Sequence, residues 1–471
     1  MLHRVSFLGV LLILVGCGSS VDVTPVNVAA SEPASQSTFI RDSGAGDTAI
    51  GLAFSGGGTR AAAFAYGVLV ELAATSVNSR HRQRSLAEAV DLVTGVSGGS
   101  IAAAYFALKG TAGLGDLREN FLLHDVEAEL NTNINLPNLI TAWRYGGVND
   151  RQGMPRWLDA NLFHGATFGT LEAGHGPTLL INASDVYNRV PFVFSNETFN
   201  ALCSSLKDYP LADAVAASAA VPIAFTPVIL ASHSEACDYR PTRSLEQVLE
   251  SSTPQLGLRA TAEAFKRYRD PSVMRYVKLL DGGIADNFGL QGLILSRAAA
   301  PNAYRPLAEA RAVSLRHFVF LVVDAGRSPR GNWALQILGP SGRELVSAAI
   351  DTAIDTNVRQ SFDKLRLIMD NWRHELITWR CGLSSTDVLR LRGSSAGWNC
   401  SDLSMDLGIV DFRGVGPEAR RELDAVPTSL SLPAEQVDLV IDAGRVALRN
   451  NPAFKSLLRS TEAGERVSAE Q

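Results

Sequence analysis

Short apolar runs alternate with longer stretches of helical periodicity along most of this chain. The length and apolar character of the runs are typical of buried strands. Six strands are predicted, over 49–54, 90–94, 178–182, 192–194, 276–280 and 318–323. Helices are predicted directly after the first two, over 60–74 and 99–108. Because continuous apolar runs with intervening helices are typical of parallel strands, we expect a mostly parallel sheet that is covered by helices on both faces.

The last third of the chain carries helical signals. Ser341 and Glu344 form a capping-box pattern directly after Pro340, which predicts a long helix over 341–380. Its apolar face is marked at helical spacing by Ile350, Ile354, Val358, Phe362 and Leu365. A final helix is predicted over 434–449 by the spacing of Val437, Val440, Ile441 and Leu448. We expect these helices to pack on the core, and they carry no candidate chemistry.

The first residues differ in pattern from the rest of the chain. Arg4 precedes an apolar run over 5–15 that is too short for a permanent membrane span and is typical of a signal peptide. The run ends in the sequence LVGC, which resembles the bacterial lipobox, and its cysteine is Cys17. In a lipobox the cysteine thiol takes a diacylglycerol. An ordinary secretory signal with an incidental cysteine is the alternative. Gly18 follows instead of an aspartate, which favours the outer membrane in a Gram-negative host.

Composition narrows the classes of function. The 471 residues are 46% hydrophobic and 19% charged, which is ordinary for a globular protein. The net charge is −5, and the chain has no basic stripe with interleaved aromatic residues, so nucleic acid is not an expected partner. No C-x-x-C or H-E-x-x-H spacing indicates a metal site, and no cofactor is expected.

The segment GVSGG, with Ser97 at its centre, carries the strongest chemical signal. It is a G-x-S-x-G sequence between a predicted strand and a predicted helix. A serine nucleophile needs this sharp turn to expose its oxygen at the edge of a sheet, and the flanking glycines tolerate the strained backbone. The N-terminus of the following helix also faces the developing negative charge. We therefore expect Ser97 to be a catalytic nucleophile.

The second signal is SGGGTR over 55–60, again after a strand and before a helix. Consecutive Gly56, Gly57 and Gly58 leave backbone N–H groups unshielded, which suits an oxyanion hole. Dinucleotide binding is the alternative, because the glycines and Ala61 also satisfy G-x-G-x-x-G/A. That fingerprint needs an acidic residue about 20 positions later, where this chain has the basic, loop-like VNSRHRQRSL. The dinucleotide interpretation is therefore weak.

The third signal is Asp281, which ends an apolar strand and is followed by Gly282 and Gly283. An aspartate at a strand end often does no more than form a turn. Together with a candidate nucleophile and a candidate oxyanion loop, it becomes a candidate general base.

These three segments, in this order, resemble the patatin-like phospholipase family, which combines G-G-G-x-R/K, G-x-S-x-G and D-G-G/A. The stretch ASAAVP over 217–222, with FTP over 225–227, also resembles the family's A-S-x-A-x-P-x-x-F-x-P pattern. The likeness covers about 48–330. It departs from the family at Ala61, where glycine is usual.

The resemblance implies a three-layer α/β/α sandwich and a Ser97–Asp281 dyad that works without histidine. In such a dyad Asp281 accepts the proton of Ser97, which attacks the carbonyl of a lipid ester. The three glycines hold the oxyanion, and water releases the acyl group. Arg60 positions the glycine loop or the lipid phosphate in this scheme, or forms a structural salt bridge.

Two other functions remain open. One is an esterase with a Ser-Asp-His triad, since His317 and His374 both follow Asp281 in the chain. His317 begins a predicted strand and His374 lies in a helical stretch. A catalytic histidine is expected in a loop, and neither residue lies in one. The other is a non-catalytic, lipid-anchored binding module on the same fold.

These signals divide the chain. We expect a lipoprotein signal peptide over 1–16, a flexible tether over 17–46, a patatin-like catalytic domain over 47–330, a helical extension over 331–458 packed on the same domain, and a disordered tail over 459–471. A lipidated Cys17 places the protein in the bacterial cell envelope, with a membrane surface and a lipid substrate as partners.

Within the catalytic domain, the loop-rich segment 119–176 is either a substrate-covering lid, through Trp143, Tyr145 and Trp157, or ordinary packing.

Four cysteines remain besides Cys17. Export places them in an oxidising compartment, which favours two disulfides, and three pairings are possible. We prefer Cys203 with Cys237 and Cys381 with Cys400, because each pair flanks a segment without other cysteines. Four reduced, buried thiols are the alternative.

Overall fold

The computed structural model describes residues 24–34, 40–42, 46–79, 82–130, 147–149, 153–253, 255–329 and 331–469. The predicted signal peptide, the lipobox-like sequence and Cys17 lie outside these residues, as do Trp143 and Tyr145 of the candidate lid. Trp157 is described, and it is buried against Phe121. Within the described residues, no helix combines the length and the apolar character that crossing a membrane requires.

A mixed sheet forms the centre of the molecule. The strands are β1 Thr48–Phe54, β2 Ser76–Ser79, β3 Arg82–Ser85, β4 Val90–Val96, β5 Gly147–Asn149, β6 Thr178–Asp185, β7 Val190–Val193, β8 Ile223–Phe225, β9 Val228–Ala231, β10 Tyr276–Asp281, β11 His317–Asp324 and β12 Ser404–Asp411. The main sheet has the order β12-β11-β1-β4-β6-β10-β9, with β7 also paired to β6. The five strands from β12 to β6 are parallel, whereas β10 is antiparallel to both β6 and β9.

Helices cover both faces of this sheet. Their bounds are Gly58–Ala74, Gly98–Lys109, Leu114–Leu117, Val126–Leu130, Gly153–Leu158, Phe168–Ala173, Asn196–Ala201, Leu211–Ser218, Arg243–Glu250, Leu256–Tyr268, Gly283–Asp286, Gln291–Ala298, Glu309–Ser314, Gly342–Cys381, Ser385–Arg392, Pro417–Ala425, Ala434–Asn450 and Pro452–Ala469. One face buries Phe64, Ile101 and Val440, and the other buries Leu293 and Trp372. Strands with apolar side chains on both faces require such cover, so the predicted α/β class is confirmed.

The capping box predicted at the start of the long helix is present. Ser341 lies directly before helix Gly342–Cys381, and its Oγ accepts a hydrogen bond from the Glu344 N–H at 3.4 Å. The Glu344 carboxylate accepts in return from the Ser341 N–H at 2.9 Å. The pattern defined this helix start correctly because both bonds are local.

The C-terminal part differs from the sequence expectation in two places. Within the predicted helical extension, β12 pairs in parallel with the whole of β11, from His317 to Asp324, and becomes the edge strand of the sheet. Its sequence SMDLGIVD is only partly apolar, because an edge strand is half exposed, and it therefore lacks the continuous run that marks β11. The last helix continues to Ala469, past residue 459, where the sequence predicts a disordered tail.

The segment predicted as a flexible tether is partly fixed to the domain. The Asn27 side chain donates to the Ala231 carbonyl and accepts from the Ala231 N–H, both at 2.8 Å. The Ala30 N–H donates to the Cys203 carbonyl at 2.8 Å, and Ile40 is buried. A Ser- and Ala-rich composition did not reveal these contacts, because they join residues about two hundred positions apart in the chain.

The structure contains two disulfides. Cys203 is joined to Cys237 and Cys381 to Cys400, with Cα–Cα distances of 5.5 and 4.9 Å. Both distances are within the span of a disulfide. The second bond ties the end of the long helix to the chain that enters β12.

Candidate active site

Ser97 lies at the turn between β4 and helix Gly98–Lys109. Its φ is 51°, a left-handed conformation that residues with a side chain rarely adopt. The neighbouring glycines allow close packing, because a Cβ on Gly98 would lie 2.0 Å from the Gly58 carbonyl oxygen and one on Gly95 would lie 2.6 Å from the Ser100 Cα. This geometry holds the Ser97 side chain at the carboxyl edge of the parallel strands, which we call the catalytic edge.

Hydrogen bonds hold the backbone of Ser97 in this strained conformation. Its N–H donates to the Ser218 Oγ at 2.9 Å, and the Ser218 Oγ donates to the Asn182 carbonyl at 2.6 Å. The Ser97 carbonyl accepts from the Ser100 Oγ at 2.6 Å. Ser218 belongs to the ASAAVP stretch, so the sequence contained a signal for this supporting residue, but its role depends on a contact across 121 positions.

Asp281 ends β10 on the other side of β6 from Ser97. In the register of the sheet Asp281 is opposite Ala183, and the preceding residue, Asn182, is opposite Val96. Ser97 and Asp281 therefore lie at the same level of the catalytic edge, on the two strands that flank β6. The sheet thus brings together the two residues that the sequence proposed as nucleophile and base.

Burial changes the acidity of Asp281. Removal from water raises the pKa of this carboxyl from 3.8 to about 6. A hydrogen bond from the Gly283 N–H, at 2.8 Å, and the nearby Ser97 hydroxyl favour the carboxylate and offset part of this rise in pKa. Asp281 is therefore ionised at neutral pH, with a pKa close enough to neutrality to accept and return a proton.

The glycine loop packs directly on Ser97, since a Cβ on Gly56 would lie 3.3 Å from the Ser97 Cβ. Gly57 and Gly58 have φ values of 145° and 62°, which glycine tolerates. Among the described residues, the N–H groups of these two glycines have no hydrogen-bond acceptor. The Gly56 N–H, predicted from the glycine motif as a third oxyanion donor, instead donates to the Asn287 carbonyl at 3.2 Å and is therefore already occupied.

Arg60 supports the glycine loop from behind. Its side chain is only 3% exposed and donates to the carbonyls of Ala325, at 3.1 Å, and Val426, at 2.9 Å. The Thr59 N–H donates to the Ser429 carbonyl at 2.8 Å. These contacts favour the loop-positioning role for Arg60 over binding of a lipid phosphate, which requires access to the substrate. They also make the 426–429 segment part of the site, which no local sequence signal indicated.

The two histidines of the alternative triad lie away from this arrangement. His317 begins β11, at the opposite edge of the sheet from Ser97, and its Nδ1 is hydrogen-bonded to the Ser404 Oγ at 3.0 Å. His374 is exposed on the long helix, and its Nδ1 is bonded to a carbonyl of that helix at 2.7 Å. No histidine among the described residues hydrogen-bonds to Ser97 or Asp281.

The glycine loop lacks the surroundings of a dinucleotide site. The chain that follows helix Gly58–Ala74 forms the antiparallel hairpin of β2 and β3, not a parallel strand that ends in an acidic residue. In the described parts of the chain, no group of three or more His, Cys, Asp or Glu side chains is placed to hold a metal ion.

Comparisons with known proteins give a family match and several structural likenesses. A family model described as patatin-like phospholipase matches residues 52–294. Among solved structures, human GIVD cytosolic phospholipase A2 is 12% identical, and the match covers 88% of this chain and 62% of that one, with a TM-score of 0.39. The same enzyme in complex with methyl gamma-linolenyl fluorophosphonate is 14% identical, with 88% and 59% covered and a TM-score of 0.39. VipD from Legionella pneumophila is 12% identical, with 86% and 67% covered and a TM-score of 0.31.

This chain therefore spans less than two thirds of the human enzyme with which it aligns. No curated protein sequence matches it significantly. The family model covers more than half of the chain, including Ser97 and Asp281. This chain belongs to the patatin-like phospholipase family.

Proposed function

We propose that this lipid hydrolase cleaves fatty-acyl esters of phospholipids with Ser97 as nucleophile and Asp281 as base. The observation that carries the proposal is the position of Ser97 and the buried Asp281 carboxyl at one level of the catalytic edge. The glycine loop packs on Ser97, and the N–H groups of Gly57 and Gly58 have no acceptor among the described residues. Nucleophile, base and oxyanion donors are the three elements that acyl transfer requires.

The proposed reaction has two halves. The Asp281 carboxylate takes the Ser97 proton while the serine oxygen attacks the ester carbonyl carbon. The N–H groups of Gly57 and Gly58 and the N-terminus of helix Gly98–Lys109 stabilise the oxyanion, and the leaving alcohol takes the proton from Asp281. Asp281 then removes a proton from water, which attacks the acyl-serine ester. The fatty acid leaves, and the proton returns to Ser97.

The geometry favours an enzyme over a binding module. Ser97 has a strained backbone, and the Asp281 carboxylate has a raised pKa because it is buried. Both features cost folding stability, and a non-catalytic module would not need either of them.

Fluorophosphonate labelling tests the proposal through its pH dependence. We expect the probe to modify Ser97, because the activated hydroxyl attacks phosphorus as it attacks a carbonyl. The rate should rise about tenfold per pH unit below 6 and level off above about pH 7, since the base works only when Asp281 is ionised, with a pKa of about 6. The measurement is the rate constant of labelling between pH 4.5 and 8, with the modified residue identified by mass spectrometry. Labelling of another serine would contradict the nucleophile, and a flat profile would contradict the base.

We further propose that Cys17 carries a lipid anchor that holds the protein in the bacterial envelope, most favourably at the outer membrane. The support is the LVGC sequence at the end of the apolar run and the glycine that follows. Cys17→Ser should move the protein out of the membrane fraction that only detergent extracts, because the diacylglycerol chains are lost. Ser19→Ala, two residues away, is the matched control and should stay in the membrane. A wild-type protein that is soluble and cleaved after residue 16 would contradict the anchor.

A further inference from the structure

The long helix Gly342–Cys381 extends beyond the catalytic edge of the domain. Near its end, Arg380 donates to the Leu315 carbonyl at 2.7 Å, just before β11 begins at the opposite edge. The Asn357 side chain donates to the Ala285 carbonyl at 2.8 Å, in the turn that follows Asp281. The helix therefore crosses one face of the sheet between these two contacts. Its first part, 342–356, continues for about 22 Å past the catalytic edge.

This projecting part is apolar although it is exposed. Together with the preceding turn it forms a segment over 333–350 that we call the apolar arm. Six of its aliphatic side chains are between 55% and 102% exposed: Leu335, Ile337, Leu338, Leu345, Val346 and Ile350. Soluble monomers rarely expose so many neighbouring large aliphatic side chains unless the surface binds a partner.

The charge of the arm is compatible with membrane contact. The arm contains one arginine, Arg343, and one acidic residue, Glu344, so it is neutral overall, although the whole chain has a net charge of −5. An exposed apolar segment without net charge fits a phospholipid surface. A second copy of the chain is the other candidate occupant.

The described N-terminal segment is bound to the domain on the same side as the arm. Asn27 is bonded to Ala231 at the end of β9, and Ala231 is paired with Tyr276. Strand β10 is antiparallel to β6, so it runs from outside the catalytic edge inwards to Asp281. Tyr276 is five residues before Asp281 and therefore lies farther out than Ser97. The chain between Cys17 and this point spans at most about 35 Å when extended. A lipid at Cys17 therefore places the catalytic edge and the arm against the same membrane.

We propose that the apolar arm inserts into a phospholipid surface and holds the mouth of the Ser97 site against the lipid layer. The inference rests on the proposed function for its purpose, since the ester to be cleaved lies in that layer. The helix that carries the arm also contacts Ala285 in the short helix after Asp281, so docking fixes the position of the site relative to the membrane. The exposed aliphatic side chains of the arm supply the contact with the lipid.

Fluorescence quenching tests insertion independently of catalysis. The full lipidated chain is reconstituted in phosphatidylglycerol vesicles whose acyl chains are brominated close to the head group. Trp333 lies in the arm, so its emission should be quenched, and Trp333→Phe should remove the quenched part of the signal. A quenched fraction equal in wild type and Trp333→Phe would overturn the proposal. This readout stands even if the proposed ester hydrolysis fails.

Substitution tests the purpose of the arm. The double variant Ile337→Ser with Leu338→Ser should lose about tenfold or more in hydrolysis of vesicle phospholipid, because two inserted side chains are removed from the lipid. Its hydrolysis of a short, water-soluble ester should stay within twofold of wild type. Leu389→Ser is the matched control, since Leu389 is also exposed but lies on helix Ser385–Arg392, which contacts helix Glu309–Ser314 at the opposite edge. It should preserve both activities.

The outcomes are distinguishable. Equal vesicle activity in wild type and the double variant would overturn the proposal. The proposal would also be overturned if wild type were a dimer and the double variant a monomer, because the arm would then bind a second copy of the chain. If wild type cleaves neither substrate, the proposed function fails, and the quenching experiment alone decides the arm.

Discussion

Ser97→Ala should abolish hydrolysis of both vesicle phospholipid and short soluble esters, by a factor on the order of 10⁴ or more, while the protein stays folded. The oxygen that attacks the carbonyl is lost, and removal of a serine nucleophile has effects of this size in other serine hydrolases. The fold should persist because the N–H and carbonyl of Ser97, not its hydroxyl, bond to Ser218 and Ser100. Initial rates and a thermal melt measure the two effects.

A matched serine supplies the control for this variant. Ser314 is half-buried at the opposite edge, where its Oγ donates to a carbonyl of its own helix. Ser314→Ala should therefore keep full activity. If Ser97→Ala retained more than a few per cent of wild-type activity, the nucleophile would have to be another residue.

Asp281→Asn should lower hydrolysis by about a hundredfold or more, because an amide cannot accept the serine proton. The same change should stabilise the protein at pH 8. The pKa of Asp281 is about 6 in the folded protein, against 3.8 for an aspartate exposed to water, so its stabilising contribution is complete below about pH 4 and is lost as the pH rises through 6. At pH 8 the buried carboxylate therefore costs roughly 2–3 kcal/mol, which asparagine removes.

Denaturant melts of wild type and Asp281→Asn at pH 4.5 and pH 8 measure this difference. The variant should be the more stable of the two at pH 8, and this difference should shrink to about a third at pH 4.5. Asparagine still accepts the hydrogen bond from the Gly283 N–H, so the local structure should be kept. A variant that is less stable at both pH values would contradict the burial of a costly carboxylate at this position.

The histidine variants separate a dyad from a triad. His317→Ala and His374→Ala should each leave activity within about twofold of wild type, since neither imidazole is placed to take the Ser97 proton. Loss of activity in either variant, as complete as in Ser97→Ala and with an unchanged melt, would rule out the dyad. The assignment to lipid acyl hydrolysis would survive that result.

Stability and function oppose each other along the catalytic edge. Besides Asp281, Asp286 is buried there and Asp324 is half-buried, and removal from water raises the pKa of each to about 6. Asp324 ends β11, and Asp286 lies in the turn after Asp281, where its carboxylate accepts from the Gln291 N–H at 2.7 Å. Buried carboxylates and a strained serine are concentrated where chemistry is proposed, as expected when an active site is held in place by the rest of the fold.

Much of this molecule was determined by local sequence. The strand-to-helix turn at Ser97, the capping box at Ser341 and the glycine loop each depend on a few consecutive residues, whose backbone preferences act before any distant contact forms. The apolar runs likewise identified the central strands to within a few residues, because a buried strand must be apolar wherever it lies in the sheet. The family and the fold class followed from these local features.

Tertiary structure alone decided how these parts meet. The pairing of β6 with β4 and β10 sets Ser97 and Asp281 at one level, and no pattern within a strand encodes its neighbours' register. The occupied N–H of Gly56, the support of Ser97 by Ser218 and the edge strand β12 were likewise hidden, since each depends on residues far apart in the chain. Long-range contacts form only when the whole chain folds around its core. The tertiary fold therefore determines which of the locally recognisable residues come together in a site.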